Sequence, residues 1–355
     1  VGHASSAFIA ALPKVELHLH LETSLRLRRL LGRGGDGPPL ERPHLIADPA
    51  RFVGYDRLRR LRYASRAGLI PDAAYTPANI AAITTELLEE AAAQGVRYLE
   101  IRVGGRRAFS LLGVRGMLEA MGEGAARARA AGVRHGVIVT LVRERGPEEA
   151  ERLVADAVRS RDAFVVGVDL AGDEENYQPA MFASAIGRAR DAGLGVTVHA
   201  GEFSGPAGIW TAVYQLGATR IGHGIRAVDD PALLERLRDR GVTLELCPTS
   251  NVRLGLVGGL AAHPLRRLMA AGVPVTLNSD DPVLLGVPLA RELAAVARVL
   301  ELEEPTLVEL MAAAARAAFQ PAEVREALEA EVRAAAAPAA RSGATSPGGS
   351  PSRAP

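Results

Sequence analysis

The sequence predicts an α/β fold, a (β/α)8 TIM-type barrel with a helical insertion after its first strand. Three observations lead there. Eight short apolar runs recur along the 355 residues, at 15–19, 98–103, 136–142, 165–170, 195–199, 220–223, 243–246 and 273–277. Helix-like stretches separate them, the pattern of parallel strands covered by helices. The first run leads into Leu21-Glu22-Thr23-Ser24. A doubly wound open sheet, the main rival, usually carries a Gly-rich phosphate loop at that point.

Each linking stretch carries its own helix signal. After the sixth run, Asp230 is placed to N-cap, Pro231 suits the first helical position, Leu233, Leu234 and Leu237 share a face, and Gly241 ends the helix. Ile209, Val213 and Leu216 form a similar face before Gly217, and Phe182, Ile186 and Ala189 do so before Gly193. The stretch 149–160 buries Leu153, Val154, Ala157 and Val158 on the same logic. The span 24–95 is too long for a simple crossover. It predicts helices at 25–31 and 56–67, broken by a Gly- and Pro-rich stretch, and a lid or pocket wall over the barrel mouth. One metal-dependent barrel domain is expected over residues 8–335. The Ala-, Pro-, Gly- and Ser-rich segment 336–355 reads as a disordered tail.

Composition narrows the function classes. Lys+Arg 42 against Asp+Glu 41 is near balance, which argues against a general nucleic-acid or acidic-membrane binder. No apolar run approaches the roughly 18 residues of a spanning helix. The start lacks the basic-then-apolar signal pattern. Cys247 is alone, so no intramolecular disulfide forms. These features set the cytoplasm as the expected location and leave oligomeric state open.

Chemistry concentrates in four fragments: His18-Leu19-His20, His199-Ala200-Gly201-Glu202, Gly222-His223-Gly224 and Ser279-Asp280-Asp281-Pro282. His18 and His20 are two apart on one strand, so both face the same side. Glu202 follows His199 on the turn leaving the fifth strand, where desolvation would raise a carboxyl toward the range of a general acid. Each fragment has a bland alternative. The histidines suit a solvated strand face, the core or a loop, Glu202 suits a solvated loop, and Asp-Asp-Pro suits a helix start. All four, however, fall at the C-terminal ends of expected parallel strands, where barrel active sites lie.

Three His and one Asp suit zinc and leave a place for water, whose pKa zinc lowers toward about 7. His223 is placed to orient that water and accept its proton, and Glu202 to protonate a substrate. A second metal bridged by carboxylated lysine is excluded, because the only lysine, Lys14, precedes the first strand. Asp169 or Asp173 is left as a conceivable bridge. Cys247 reads as structural, Gly104-Gly105-Arg106-Arg107 as an ordinary turn, and Arg26, Arg28 and Arg29 as a solvated helix face.

These fragments, with Pro13-Lys14-Val15-Glu16-Leu17-His18, Asp169-Leu170-Ala171-Gly172-Asp173-Glu174, Arg220-Ile221-Gly222-His223-Gly224 and Cys247-Pro248-Thr249-Ser250-Asn251, stand in one order over about Leu12 to Glu292. The chain thereby resembles the adenosine deaminase family of the amidohydrolase superfamily. The resemblance implies hydrolytic deamination at C6 of a purine, with one Zn2+ per chain held by His18, His20, His199 and Asp280. It implies that Glu202 protonates N1, that His223 and Asp280 align the attacking water, that Asp281 contacts N7, and that the Gly172 N–H contacts N3. Adenosine is the leading substrate; adenine, aminofutalosine or another modified adenosine is the alternative. One departure bears on that choice. The family usually continues His-Leu-Asp-Gly, whereas this chain has His20-Leu21-Glu22-Thr23, and Glu22 stands where an Asp meets the ribose 5′-hydroxyl. Glu at that position is commoner in the adenine and aminofutalosine branch, where Gly follows it and this chain has the bulkier Thr23, but Gly222 before His223 suits the adenosine branch. Amide hydrolysis by a related mononuclear site, and a catalytically silent binding protein, are the remaining alternatives.

Overall fold

The computed structural model describes residues 2–21, 75–104, 106–160 and 164–336. Within them, eight parallel strands pair in sequence order: β1 (Lys14–His20), β2 (Val96–Val103), β3 (Arg134–Val142), β4 (Val165–Ala171), β5 (Gly195–Ala200), β6 (Arg220–His223), β7 (Thr243–Leu246) and β8 (Val275–Leu277). The (β/α)8 expectation holds. β6 and β7 have the expected bounds. β2 and β3 each begin two residues earlier than expected, and β8 begins at Val275, two later than the apolar run. Pro274 explains the last shift: it has no N–H for the ladder, although its carbonyl still accepts from Leu244 N–H at 2.9 Å.

The barrel closes between β8 and β1 at the catalytic end. His20 N–H donates to the Asp280 carbonyl (2.9 Å), and Asp280 N–H donates to the His18 carbonyl (3.0 Å). Lower on the seam, Asn278 Oδ1 accepts from Leu17 N–H at 2.9 Å, a side chain standing in for a strand carbonyl. The helix Glu304–Ala317 packs over both strands of this seam.

The linking helices form where the punctuation placed them. Asp230 caps Pro231–Arg240 by accepting from Leu233 N–H at 3.1 Å, and Gly241 ends it in the left-handed region at φ 64°. Leu233 and Leu237 are fully buried, which stabilises by about 1.5–3 kcal/mol each. The stretch expected as a helix at 149–160 is helical from Gly146 to Arg159. Part of the expected insertion is a barrel helix, Pro77–Ala93, packed on β2. The expected helices at 25–31 and 56–67, Glu22, Thr23, Arg26, Arg28, Arg29 and the segment 337–355 lie outside the described residues. Packing also begins ahead of residue 8: the helix Ser6–Ala11 precedes β1, and Ala4 N–H bonds to the Leu302 carbonyl at 2.8 Å. Among the described residues no helix is long and apolar enough to cross a membrane.

The N-terminal mouth of the barrel is plugged by Phe319. Its N–H donates to Glu100 at 2.6 Å, and the Arg220 guanidinium stacks 3.6 Å from its ring centre. A Cβ on Gly195 would lie 2.3 Å from that ring, so only glycine leaves the plug its space. The four fragments meet at the opposite end of the barrel.

Candidate metal centre and active site

His18 and His20 end β1, His199 lies near the end of β5, His223 is the last residue of β6, and Asp280 follows β8. All five are buried. His18, His20 and His199 each offer a ring nitrogen, and the three nitrogens lie within 4.8 Å of one another. Asp280 Oδ1 stands 3.5 Å from His18 Nε2 and 3.4 Å from His20 Nε2. The His223 ring centre is 4.9 Å from that of His18 and 5.2 Å from that of His199. The structure therefore gathers four fragments, up to 262 positions apart between His18 and Asp280, into one cluster.

A layer of buried charge beneath the cluster sets the orientation of two rings. His18 Nδ1 lies 3.0 Å from Glu245 on β7, and His199 Nδ1 lies 3.0 Å from Asp169 on β4. Each carboxylate accepts a hydrogen bond from Nδ1–H, so each Nε2 presents its lone pair to the cluster. Both Nε2 atoms are buried and make no hydrogen bond. A buried nitrogen with no partner is costly, and carboxylate–histidine pairs of this form are characteristic of metal ligands. Burial pulls the His199 pKa down to about 4, even against the raising effect of Asp169, so the ring is neutral and able to ligate.

The carboxylates are balanced in turn by two arginines. Arg102 on β2 bonds to Asp169 (3.3 Å) and to Glu245. Arg220 on β6 bonds to Glu100 (2.5 Å) and pairs with Glu245 (2.7 Å). Burial alone would raise the Glu245 pKa, but Arg102, Arg220 and the bond from His18 hold it far below the usual carboxylate range. Sequence reasoning missed this layer. The available signal was a lone charge inside an apolar strand, as in Tyr98-Leu99-Glu100-Ile101-Arg102 and Thr243-Leu244-Glu245-Leu246. Asp169 is committed to His199 and Arg102, and Asp173 caps its own turn by accepting from Glu175 and Asn176 N–H. Each thus has a structural task other than bridging metals.

Backbone geometry aims the remaining groups. His223 and Asp280 have φ of 61° and 60°, a left-handed conformation that costs about 1–3 kcal/mol for residues other than glycine. Strict alternation along β6 would put His223 on the opposite face from Gly222; the left-handed turn brings it to the cluster. A Cβ on Gly222 would come within 3.1 Å of both His18 and His199, so this glycine is what lets the two rings approach. Cys247 is buried, its thiol pushed well up by burial, and it donates weakly to the Glu245 carbonyl. It stays a neutral thiol, although its sulfur lies near His18 and His223.

Glu202 sits on the turn after β5, with Gly201 at φ 68°. Glu174 shapes that turn, accepting from the N–H groups of Gly201 (2.8 Å), Glu202 (3.3 Å) and Ser204 (3.4 Å) and from the Ser204 hydroxyl. Glu202 is buried, and its Oε1 lies 3.5 Å from His223 Nε2. Ser250 donates to Asp280 Oδ2 at 2.6 Å, and Asn251 Nδ2 meets His223 Nδ1 at 3.3 Å. Asp281 is buried beside Asp280. Gly172 follows β4 at φ 117°, a conformation reserved for glycine. Of the expected site residues, only Glu22 is outside the described set.

Barrel topology with a histidine–aspartate cluster at the C-terminal strand ends is the arrangement of an amidohydrolase, and the cluster is a candidate metal site. The particular family follows from comparison with known proteins. Residues 13–335 match the family model described as adenosine deaminase, and the chain belongs to that family. An adenine deaminase from Chelativorans sp. (strain BNC1) is 40% identical over 260 residues, covering 73% of this chain and 80% of the relative. The crystal structure of adenine deaminase from Arthrobacter aurescens superposes with a TM-score of 0.79 at 32% identity, over 91% of this chain and 98% of that one. An amidohydrolase from Burkholderia ambifaria, solved with bound Zn, gives a TM-score of 0.81 at 27% identity, over 93% and 92% of the two chains.

Proposed function

We propose that the chain hydrolyses the exocyclic amino group of a 6-aminopurine, releasing ammonia and leaving the 6-oxo purine. The observation that carries this reading is the junction of a ligand-ready cluster with a buried carboxyl: His18, His20, His199 and Asp280 on one side, and Glu202 3.5 Å from His223 on the other. Family membership supplies the purine.

The donor set fits zinc. Neutral imidazole nitrogens with carboxylate-anchored backs, joined by one carboxylate, suit it, and the Zn-containing structural relative supports the same ion. His18, His20, His199 and Asp280 would hold one Zn2+, which when bound supplies Lewis-acid activation of water near neutral pH. The protein's own groups do the rest. Glu202, buried and fixed by the Glu174 turn, protonates N1 of the ring and makes C6 electrophilic. Asp280, held by Ser250, and His223, held by Asn251, orient the attacking water. The Gly172 N–H and Asp281 locate the ring through N3 and N7. The buried floor and the Phe319 plug keep bulk water from below. Acid and base roles of this kind each contribute about 10²–10⁴ in rate.

For the substrate we place adenine first. The support is the 40%-identical relative and the Arthrobacter aurescens structure, both adenine deaminases, together with Glu22 in the position where the adenosine branch has Asp. Adenosine, the first expectation from the sequence, keeps the support of Gly222 before His223. Ammonia release from adenine, adenosine, 2′-deoxyadenosine, 5′-modified adenosines and aminofutalosine tests the reading. The highest kcat/KM is expected for adenine. Ammonia from none of them would remove the aminopurine reading; a clear preference for adenosine would reverse the order within it.

A further inference from the structure

The back of the His223 ring is held by a relay whose direction is fixed. It begins at Leu265 N–H, a backbone donor that cannot be reversed, 3.2 Å from His263 Nδ1. That nitrogen must accept, so neutral His263 carries its proton on Nε2. His263 Nε2 lies 3.2 Å from Asn251 Oδ1, which accepts it. The other end of the same amide, Nδ2, can only donate, and it lies 3.3 Å from His223 Nδ1. His223 Nδ1 is therefore an acceptor, and the proton of neutral His223 is on Nε2. His263, Asn251 and His223 are all buried, with exposures of 4%, 0% and 0%. Burial also draws the His263 pKa to about 4, so the relay starts from a neutral ring at neutral pH.

We infer that His263 and Asn251 are positioning residues that lock His223 in its Nε2–H tautomer, so that His223 serves the reaction as a hydrogen-bond donor and not as its base. The catalytic consequence rests on the deamination reading; the tautomer does not. With Nε2 already protonated, the proton leaving the attacking water goes to a carboxylate. Glu202 starts protonated, to supply N1, which leaves Asp280. As the C6–O bond forms, water gives a proton to Asp280 and Glu202 gives one to N1. As the C6–N bond breaks, the departing amine takes the Asp280 proton and leaves as ammonia, while the C6 hydroxyl returns a proton to Glu202. No proton passes through His223.

The test is long-range 1H–15N correlation on the zinc-loaded full chain labelled with 15N-histidine, with His223 assigned by His223→Gln. His223 Nε2 is expected to bear the proton and Nδ1 to show the shift of an unprotonated acceptor. A proton on Nδ1 would overturn the inference. Asn251→Asp provides a second arm, since a carboxylate there accepts from both neighbours. It should move the His223 proton to Nδ1 and lower kcat by about 10² or more, with KM and zinc content unchanged. An unmoved tautomer or an unchanged kcat would contradict the relay. If no aminopurine is turned over, the spectra still decide the tautomer, and the reaction reading alone fails.

Discussion

Asp280 and His18 meet at two places, through the backbone and at the histidine cluster. The Asp280 N–H donates to the His18 carbonyl at 3.0 Å, and Asp280 Oδ1 stands 3.5 Å from His18 Nε2. The first closes the barrel and the second places the carboxylate at the histidine cluster, so closure and the candidate metal site share one residue. Asp280→Asn separates the two. Asn tolerates the left-handed backbone and keeps the N–H. It should fold normally by circular dichroism but lose metal affinity by at least about 10-fold, the lower range for losing even an outer partner of a ligand. Unchanged zinc affinity in a chelator competition would remove Asp280 from the ligand set.

Glu202→Gln should retain zinc and lose about 10² or more of turnover, because Gln fills the same space beside His223 without a proton to give. The measurement is kcat alongside metal content. A zinc-loaded variant with near-native kcat would take Glu202 out of the acid role.

Much of this arrangement was legible in the chain. His18 and His20 announce themselves by alternating with leucine in β1, and the eight apolar runs fall on the eight strands. What was not legible is what closure brings together. Glu245 touches His18, Arg102 and Arg220, which sit on β1, β2 and β6, and no local pattern ranks those contacts. His223 was readable as a site residue through its place at the end of the sixth apolar run, whereas the left-handed backbone that turns it to the cluster was not.

That hidden layer makes a strong stability prediction. Glu245→Gln keeps an acceptor for His18 but leaves Arg102 and Arg220 short of a fully buried counter-charge. Removing one partner from a buried ionic group costs about 3–5 kcal/mol. Urea unfolding of the metal-free variant should show a loss of that size. A loss under about 1 kcal/mol would mean the charges find other compensation.

Acid should weaken the fold through His263. Its folded pKa, lowered by burial to about 4, lies below the ordinary value of 6.5. Between those values the unfolded chain binds the extra proton. The stability of the neutral ring is therefore fully present above about pH 6.5 and is lost as pH falls toward about 4. Between about pH 7 and pH 5 the loss is about 2 kcal/mol. His263→Gln should flatten that part of the urea-stability profile. An equally steep profile in the variant would assign the slope to other groups.

We propose that one zinc ion, held by His18, His20, His199 and Asp280, makes this chain a 6-aminopurine deaminase. The most direct measurement is ammonia release from adenine and adenosine by chelator-stripped protein titrated with zinc. The expected result is no turnover without metal, a linear rise to one equivalent per chain and a plateau beyond it. Turnover by the stripped protein at the loaded rate, or none at any zinc level, would contradict the account.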